Sequence, residues 1–149
     1  MEFPLSDLLN KDINGKTVLI TGAGGSIGSE LARKVVELNF QKLILLDTNE
    51  YALYEIQNEI KSCALESNVF SVLGNVTNKE RILEICKSFE VDTIYHAAAY
   101  KHVPLVEENP FEGVVNNVFG TLNCLKAASE AGVDTFVLIS TDKAVRPTN

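Results

Sequence analysis

Basic residues are scarce in this chain: 13 Lys and Arg stand against 20 Asp and Glu, a net charge of −7 over 149 residues. A general nucleic-acid binder needs a basic face, so that class is set aside. Cysteine is sparse too. Cys63, Cys86 and Cys124 have no metal-ligand spacing and read as reduced thiols, so no metal site is expected. No apolar run approaches the ~18 residues of a membrane span. The opening Met1-Glu2-Phe3-Pro4 lacks the basic and apolar stretches of a secretory signal. These absences predict a cytoplasmic chain without a membrane segment. Internal repeats and low-complexity stretches are missing as well.

What is present is an ordinary globular composition, 46% apolar and 22% charged, in a chain long enough for one domain with a real core. Short apolar runs alternate with helical periodicity. Strands are predicted at Thr17–Thr21, Lys42–Asp47, Val69–Leu73, Val91–His96 and Thr135–Ser140. Between the first two, Ile27, Leu31, Val35 and Leu38 mark one helix face. Asn49 is placed to cap a helix with Leu53, Ile56 and Ile60 inward. Thr77 and Glu80 form an S/T-x-x-E capping box for a helix with Ile82, Ile85 and Phe89 inward. Asn109-Pro110 reads as the start of a long helix reaching about Ala131, with Gly132 as its stop. Strict alternation predicts an α/β fold: a doubly wound parallel sheet of about five strands, order 3-2-1-4-5, with helices on both faces. Residues 1–15 form a lead-in arm and 16–149 the domain.

The first strand runs into Gly22-x-x-Gly25-x-x-Gly28, and a helix begins near Ser26. Glycines permit a sharp turn and close approach of a pyrophosphate, and the helix N-terminus offers free N–H groups. Gly22, Gly25, Ser26, Ile27 and Gly28 are therefore candidate cofactor-binding residues. The second strand ends at Asp47, about 20 residues beyond the last glycine, where an acid can hydrogen-bond both ribose hydroxyls of NAD and would repel the 2′-phosphate of NADP. Asn75 and Val76 follow the third strand, where an adenine-contacting amide fits.

Open parallel sheets bind ligands beyond the carboxyl ends of their strands. His96-Ala97-Ala98-Ala99-Tyr100-Lys101 follows the fourth strand, and Ser140-Thr141-Asp142-Lys143 the fifth. Ala97, Ala98 and Ala99 let the backbone pass close to a ligand, or simply pack tightly. Lys101 can reach a phosphate or ribose, or stand in solvent. His96 and His102 read first as hydrogen-bonded structural histidines. Asp142 beside Lys143 pairs an acid with a potential base, which suits coupled proton transfers.

The segments TGAGGSIGSELAR at 21–33, HAAAYKHVPLVEENP at 96–110, NNVFGTLN at 116–123 and FVLISTDKAVRPTN at 136–149 together resemble the nucleotide-sugar 4,6-dehydratases of capsule and glycan biosynthesis. These are extended short-chain dehydrogenase/reductases with a Rossmann-type domain. The resemblance spans nearly everything after Lys16. It implies UDP-N-acetylglucosamine or a close relative as substrate, and a tightly held NAD, some relatives using NADP. It implies oxidation at C4, loss of the C5 proton and the C6 hydroxyl, and hydride return to C6. On this pattern Thr141 lies near the sugar C4 oxygen, Asp142 protonates the leaving C6 hydroxyl, and Lys143 is the base at C5. Ser140 joins the cofactor-contacting residues. Homo-oligomerisation is expected, through the long helix after Pro110 and the segment around Val103–Val106.

One family element is missing from these 149 residues: no tyrosine has a lysine four residues on, and in this family the Y/M-x-x-x-K pair follows the STDKAVRPTN segment. The chain is thus expected to be a truncated catalytic domain, without the later strands and the UDP-gripping domain, and inactive alone. Membrane-attached relatives carry an N-terminal transmembrane portion, also absent from it. The alternatives are a sibling nucleotide-sugar 4-epimerase or C4 reductase, or a non-catalytic nucleotide-binding module. The TDK triplet favours dehydration.

Overall fold

A computed structural model describes residues 11–61 and 68–140. Among them, β1 (Thr17–Thr21), β2 (Lys42–Asp47), β3 (Val69–Leu73), β4 (Thr93–His96) and β5 (Thr135–Leu138) form one sheet in the order β3-β2-β1-β4-β5. Every neighbouring pair is parallel, as the strand–helix alternation predicts. The helices are α1 (Ser26–Val36), α2 (Glu50–Lys61), α3 (Lys79–Phe89), α4 (Val103–Glu108), α5 (Pro110–Val114) and α6 (Thr121–Ala131), with a π-helical segment, Val115–Gly120, joining α5 to α6.

The central strands are apolar throughout because both faces of the sheet are covered. Val18 and Ile20 of β1, with Leu43 and Leu45 of β2, pack under α1 and α2 against Ala32, Val35, Leu53, Ile56 and Ile60. Leu19, Ile44 and Leu46 point the other way, onto Ile82, Ile85 and Cys86 of α3 and Cys124, Ala127 and Ala128 of α6. The end of the lead-in arm joins the first of these cores through Ile13, which is buried. Cys86 and Cys124 are free, buried thiols, and burial pushes both upward in pKa, Cys86 to about 11 and Cys124 to about 12. Cys63 lies outside the described residues.

Several local expectations are corrected. In α1 the inward positions are Gly28, Ala32 and Val35, while Ile27 is exposed. Val35 is buried and Leu31 and Leu38 pack partly buried against the same core, as expected, so only Ile27 departs from the predicted face. The N-cap of α3 is Asn78, whose Oδ1 accepts the Arg81 N–H at 3.0 Å. Thr77, expected in that role, instead donates its hydroxyl to Asn75 Oδ1 at 2.8 Å. Val91 closes α3 rather than opening β4: its N–H bonds Cys86 O at 3.0 Å after Glu90 turns left-handed at φ 57°. Asn109 stands at the N-cap of α5 with Pro110 behind it, as expected, but its side chain makes no cap bond, its amide donating to Leu105 O of the preceding short helix at 2.9 Å. Asn49 does cap α2, accepting the Ala52 N–H at 3.0 Å, and Gly132 ends α6 in the left-handed region at φ 78°.

Candidate nucleotide-binding site

The site is built where β1 stops. Gly22 turns the chain at φ 67°, and a Cβ there would stand 2.8 Å from the backbone of Ala97 and Ala98. A Cβ on Gly28 would stand 2.0 Å from Gly22 O. Glycine at these two positions lets the β1 turn, the start of α1 and the segment after β4 close on one another. α1 then begins at Ser26 behind an extended Gly25, with no side chain capping it. Its first-turn N–H groups stay available to an anion, with the positive end of the helix dipole behind them.

Asp47 is the last residue of β2. Its Oδ2 accepts the Gly24 N–H at 2.8 Å and its Oδ1 accepts the Asn49 N–H at 2.9 Å. The carboxylate is therefore locked against the glycine turn. Each oxygen retains a second lone pair, so a ribose hydroxyl can still donate to it.

One cleft of about 220 Å³ brings together Gly22, Gly25, Asp47, Val76, Ala97, Ala98 and Ala99. Seven of the candidate residues thus meet in one place. Ser26 and Lys101 line an adjoining cleft, and Lys101 Nζ donates to Ser26 Oγ across the mouth of the glycine turn. Gly28 serves by close packing. Ile27 lines neither cleft. Asn75 is exposed, and its Oδ1 is occupied by the Thr77 N–H at 2.9 Å and the Thr77 hydroxyl. Ser140 is exposed just beyond β5. Thr141, Asp142 and Lys143 lie outside the described residues.

The structure adds lining residues not singled out from the sequence: Gly24, Thr48, Asn49, Ala52, Gly74, Tyr100 and Asn116. Asn116 and the neighbouring Asn117 hold the β4 side of the cleft in shape. Asn117 Oδ1 accepts the Tyr100 N–H at 2.8 Å, and its Nδ2 donates to Tyr100 O at 2.9 Å. Asn116 Nδ2 reaches Ala98 O at 3.5 Å. The signal for this pair was the doubled asparagine of NNVFGTLN.

His96 underlies the same wall. Thr121 Oγ1 donates to Asn117 O at 2.7 Å, so it accepts from His96 Nε2–H at 3.0 Å. That leaves Nδ1 to accept the Thr21 hydroxyl at 2.8 Å. The ring is neutral, 2% exposed, and burial pushes its pKa down to about 4. It joins β1, β4 and the first residue of α6, the structural role its sequence context favoured. His102 does not share that role. It precedes α4 without a side-chain cap bond, and it is exposed on the adjoining cleft.

Comparison with known proteins gives the same direction. Residues 18–149 match the family described as polysaccharide biosynthesis protein. The chain is 48% identical over 143 residues to the capsular polysaccharide biosynthesis protein CapD of Staphylococcus aureus, covering 95% of this chain and 24% of that protein. It is 36% identical over 138 residues to an inverting UDP-N-acetylglucosamine 4,6-dehydratase of Campylobacter jejuni, covering 91% of this chain and 39% of that one. Among solved structures, WbmG of Bordetella bronchiseptica in complex with NAD and UDP superposes with a TM-score of 0.70 at 26% identity, covering 84% of this chain and 37% of that chain. The chain thus spans about a quarter to two fifths of the length of these relatives. No helix among the described residues is long and apolar enough to cross a membrane. A glycine turn packed against an alanine wall, an acid locked at the end of β2 and a match over 18–149 agree: the chain belongs to the polysaccharide biosynthesis protein family.

Proposed function

We propose that this chain is the NAD-binding part of a nucleotide-sugar 4,6-dehydratase, acting on UDP-N-acetylglucosamine or a close relative. The observation that carries the cofactor half is the Asp47 carboxylate held on Gly24 N–H at the glycine turn, with an uncapped helix start beside it. The residues fit a dinucleotide: a ribose at Asp47, a pyrophosphate over the first turn of α1 beside Lys101, and a close wall at Ala97–Ala99. The substrate half is supported by the dehydratase relative and by the TDK triplet after β5.

NAD, held by Asp47, the glycine turn and the Ala97–Ala99 wall, would supply the redox chemistry: a hydride acceptor for C4 and a hydride donor for C6. The chain's own groups handle position and protons. Thr141 holds the C4 oxygen. Lys143 removes the C5 proton, acidified by the C4 ketone. Asp142 gives a proton to the departing C6 hydroxyl, so that water leaves. Such a pair needs its two members in opposite protonation states at the start of elimination.

The test uses the full-length protein with UDP-N-acetylglucosamine in deuterated water. A 4-keto-6-deoxy sugar with label at C5 is the expected product. Asp142→Asn should abolish elimination while leaving NAD bound, and Lys143→Ala should stop C5 exchange. A C4-epimerised product without loss of water would overturn the dehydratase reading. Residues 1–149 by themselves are expected to bind NAD and to turn over no UDP-sugar. Without a partner surface to hold the sugar, the ~7–11 kcal/mol available from positioning is not realised.

A further inference from the structure

We propose that Tyr100 is a cofactor-contacting residue, its ring packing against the bound dinucleotide beside the pyrophosphate; this rests on the NAD reading above. The walls of the cleft are mostly small. Gly22, Gly24, Ala52 and Ala97–Ala99 supply much of the lining, and Tyr100 is the one aromatic among the described lining residues of this cleft. The side chain has no evident part in the fold. It is 55% exposed, and among the described residues it has no ring partner and its hydroxyl makes no hydrogen bond.

Its backbone, by contrast, is fixed from two directions. The Asn117 amide takes both its N–H and its C=O. The next residue, Lys101, is tied to Ser26 in the first turn of α1. The root of the ring is thus held between the β4 wall and the phosphate-cradling turn while the ring itself stays uncommitted. A dinucleotide anchored by its ribose at Asp47 and laid across Gly22–Gly25 passes to the β4 side of the sheet. There it meets Tyr100, which lines both this cleft and the adjoining one that holds Lys101 and His102. Covering the ligand there removes exposed aromatic surface from water at little ordering cost, since the backbone beneath is already fixed.

The experiment titrates NAD into the wild-type protein, Tyr100→Ala and Tyr100→Phe by calorimetry, and records each unfolding midpoint. An exposed ring should leave the midpoint unchanged. Tyr100→Ala is expected to bind NAD about tenfold more weakly, the lower end of what removing a stacked aromatic costs. Tyr100→Phe, which keeps the ring, should stay within about threefold of wild type. Equal affinity of wild type and Tyr100→Ala would overturn the assignment while leaving the cofactor reading intact. Equal loss in both variants would overturn ring packing in favour of the hydroxyl. Absence of NAD binding by the wild type would overturn the cofactor reading and this inference with it.

Discussion

Asp47 Oδ2 and the Gly24 N–H are 2.8 Å apart, so the acid that ends β2 holds the glycine turn that follows β1. This bond makes Asp47 a brace for the glycine turn, and in the proposed function the same carboxylate also takes the ribose. Asp47→Asn keeps an acceptor for Gly24 and removes the charge. It should weaken NAD by roughly 10-fold, in line with losing a charge-assisted hydrogen bond. NADP binding should weaken less or improve, because a 2′-phosphate no longer faces a carboxylate. Paired titrations with NAD and NADP read the ratio; a ratio that does not move towards NADP would mean that the carboxylate does not face the ribose.

Two glycines of one loop should fail differently. Gly28→Ala drives a Cβ to 2.0 Å from a backbone oxygen that has no room to yield, and should cost about 3 kcal/mol or more of stability. Gly25→Ala meets Gly22 O at 3.2 Å, a contact that a small shift relieves. It should keep the fold nearly intact and lose NAD affinity, since the methyl stands where the pyrophosphate approaches. Denaturant midpoints together with NAD titrations separate the two outcomes.

The features legible in the sequence are those written in local periodicity. KLILLD could only be a strand covered on both faces, and Gly22-x-x-Gly25-x-x-Gly28 between strand and helix located the turn. The features that escaped it depend on competition between neighbours. Thr77 and Asn78 both suit a cap, and Asn78 takes it because Asn75 engages the Thr77 hydroxyl. The long helix after Pro110 was visible, but its π segment was not, because the periodicity on either side is helical. The reach of Asn117 to the Tyr100 backbone crosses 17 residues of sequence and appears only when α5, the π segment and the β4 loop are in place.

His96 carries a pH signature. Its pKa is about 4 in the folded chain against about 6.5 in the unfolded one, with burial as the cause. Between these values the unfolded state binds the extra proton, so stability is full above about pH 6.5 and falls as the pH drops towards 4. The whole window is worth about 3 kcal/mol for a ring this buried. His96→Asn, which cannot titrate, should be less stable at pH 7 and should show a flatter profile between pH 6.5 and 4. An unchanged slope in that variant, read from urea midpoints across the range, would assign the acid sensitivity to other groups.

The long helix presents an apolar face that its own fold leaves open. Phe111, Val114, Val118, Leu122 and Leu125 are all exposed, Phe111 by 75%, whereas Gly113, Gly120, Cys124, Ala127 and Ala128 on the opposite side are buried. Spacings of three and four residues align the five on one side of the helix. Val103 and Leu105 of α4 add further exposed apolar surface nearby in the chain. A stripe this continuous is costly to leave in water and marks a contact surface. Pairing with the same stripe of a second copy is self-complementary and closes as a two-fold dimer. The expected result is a dimer in sedimentation velocity at micromolar concentration. Val118→Glu, at the middle of the stripe, should shift it to monomer with an unfolding midpoint at dilute concentration close to wild type, because the residue is exposed within one chain. A wild-type chain that stays monomeric at high micromolar concentration would show that this face is covered by something other than a second copy.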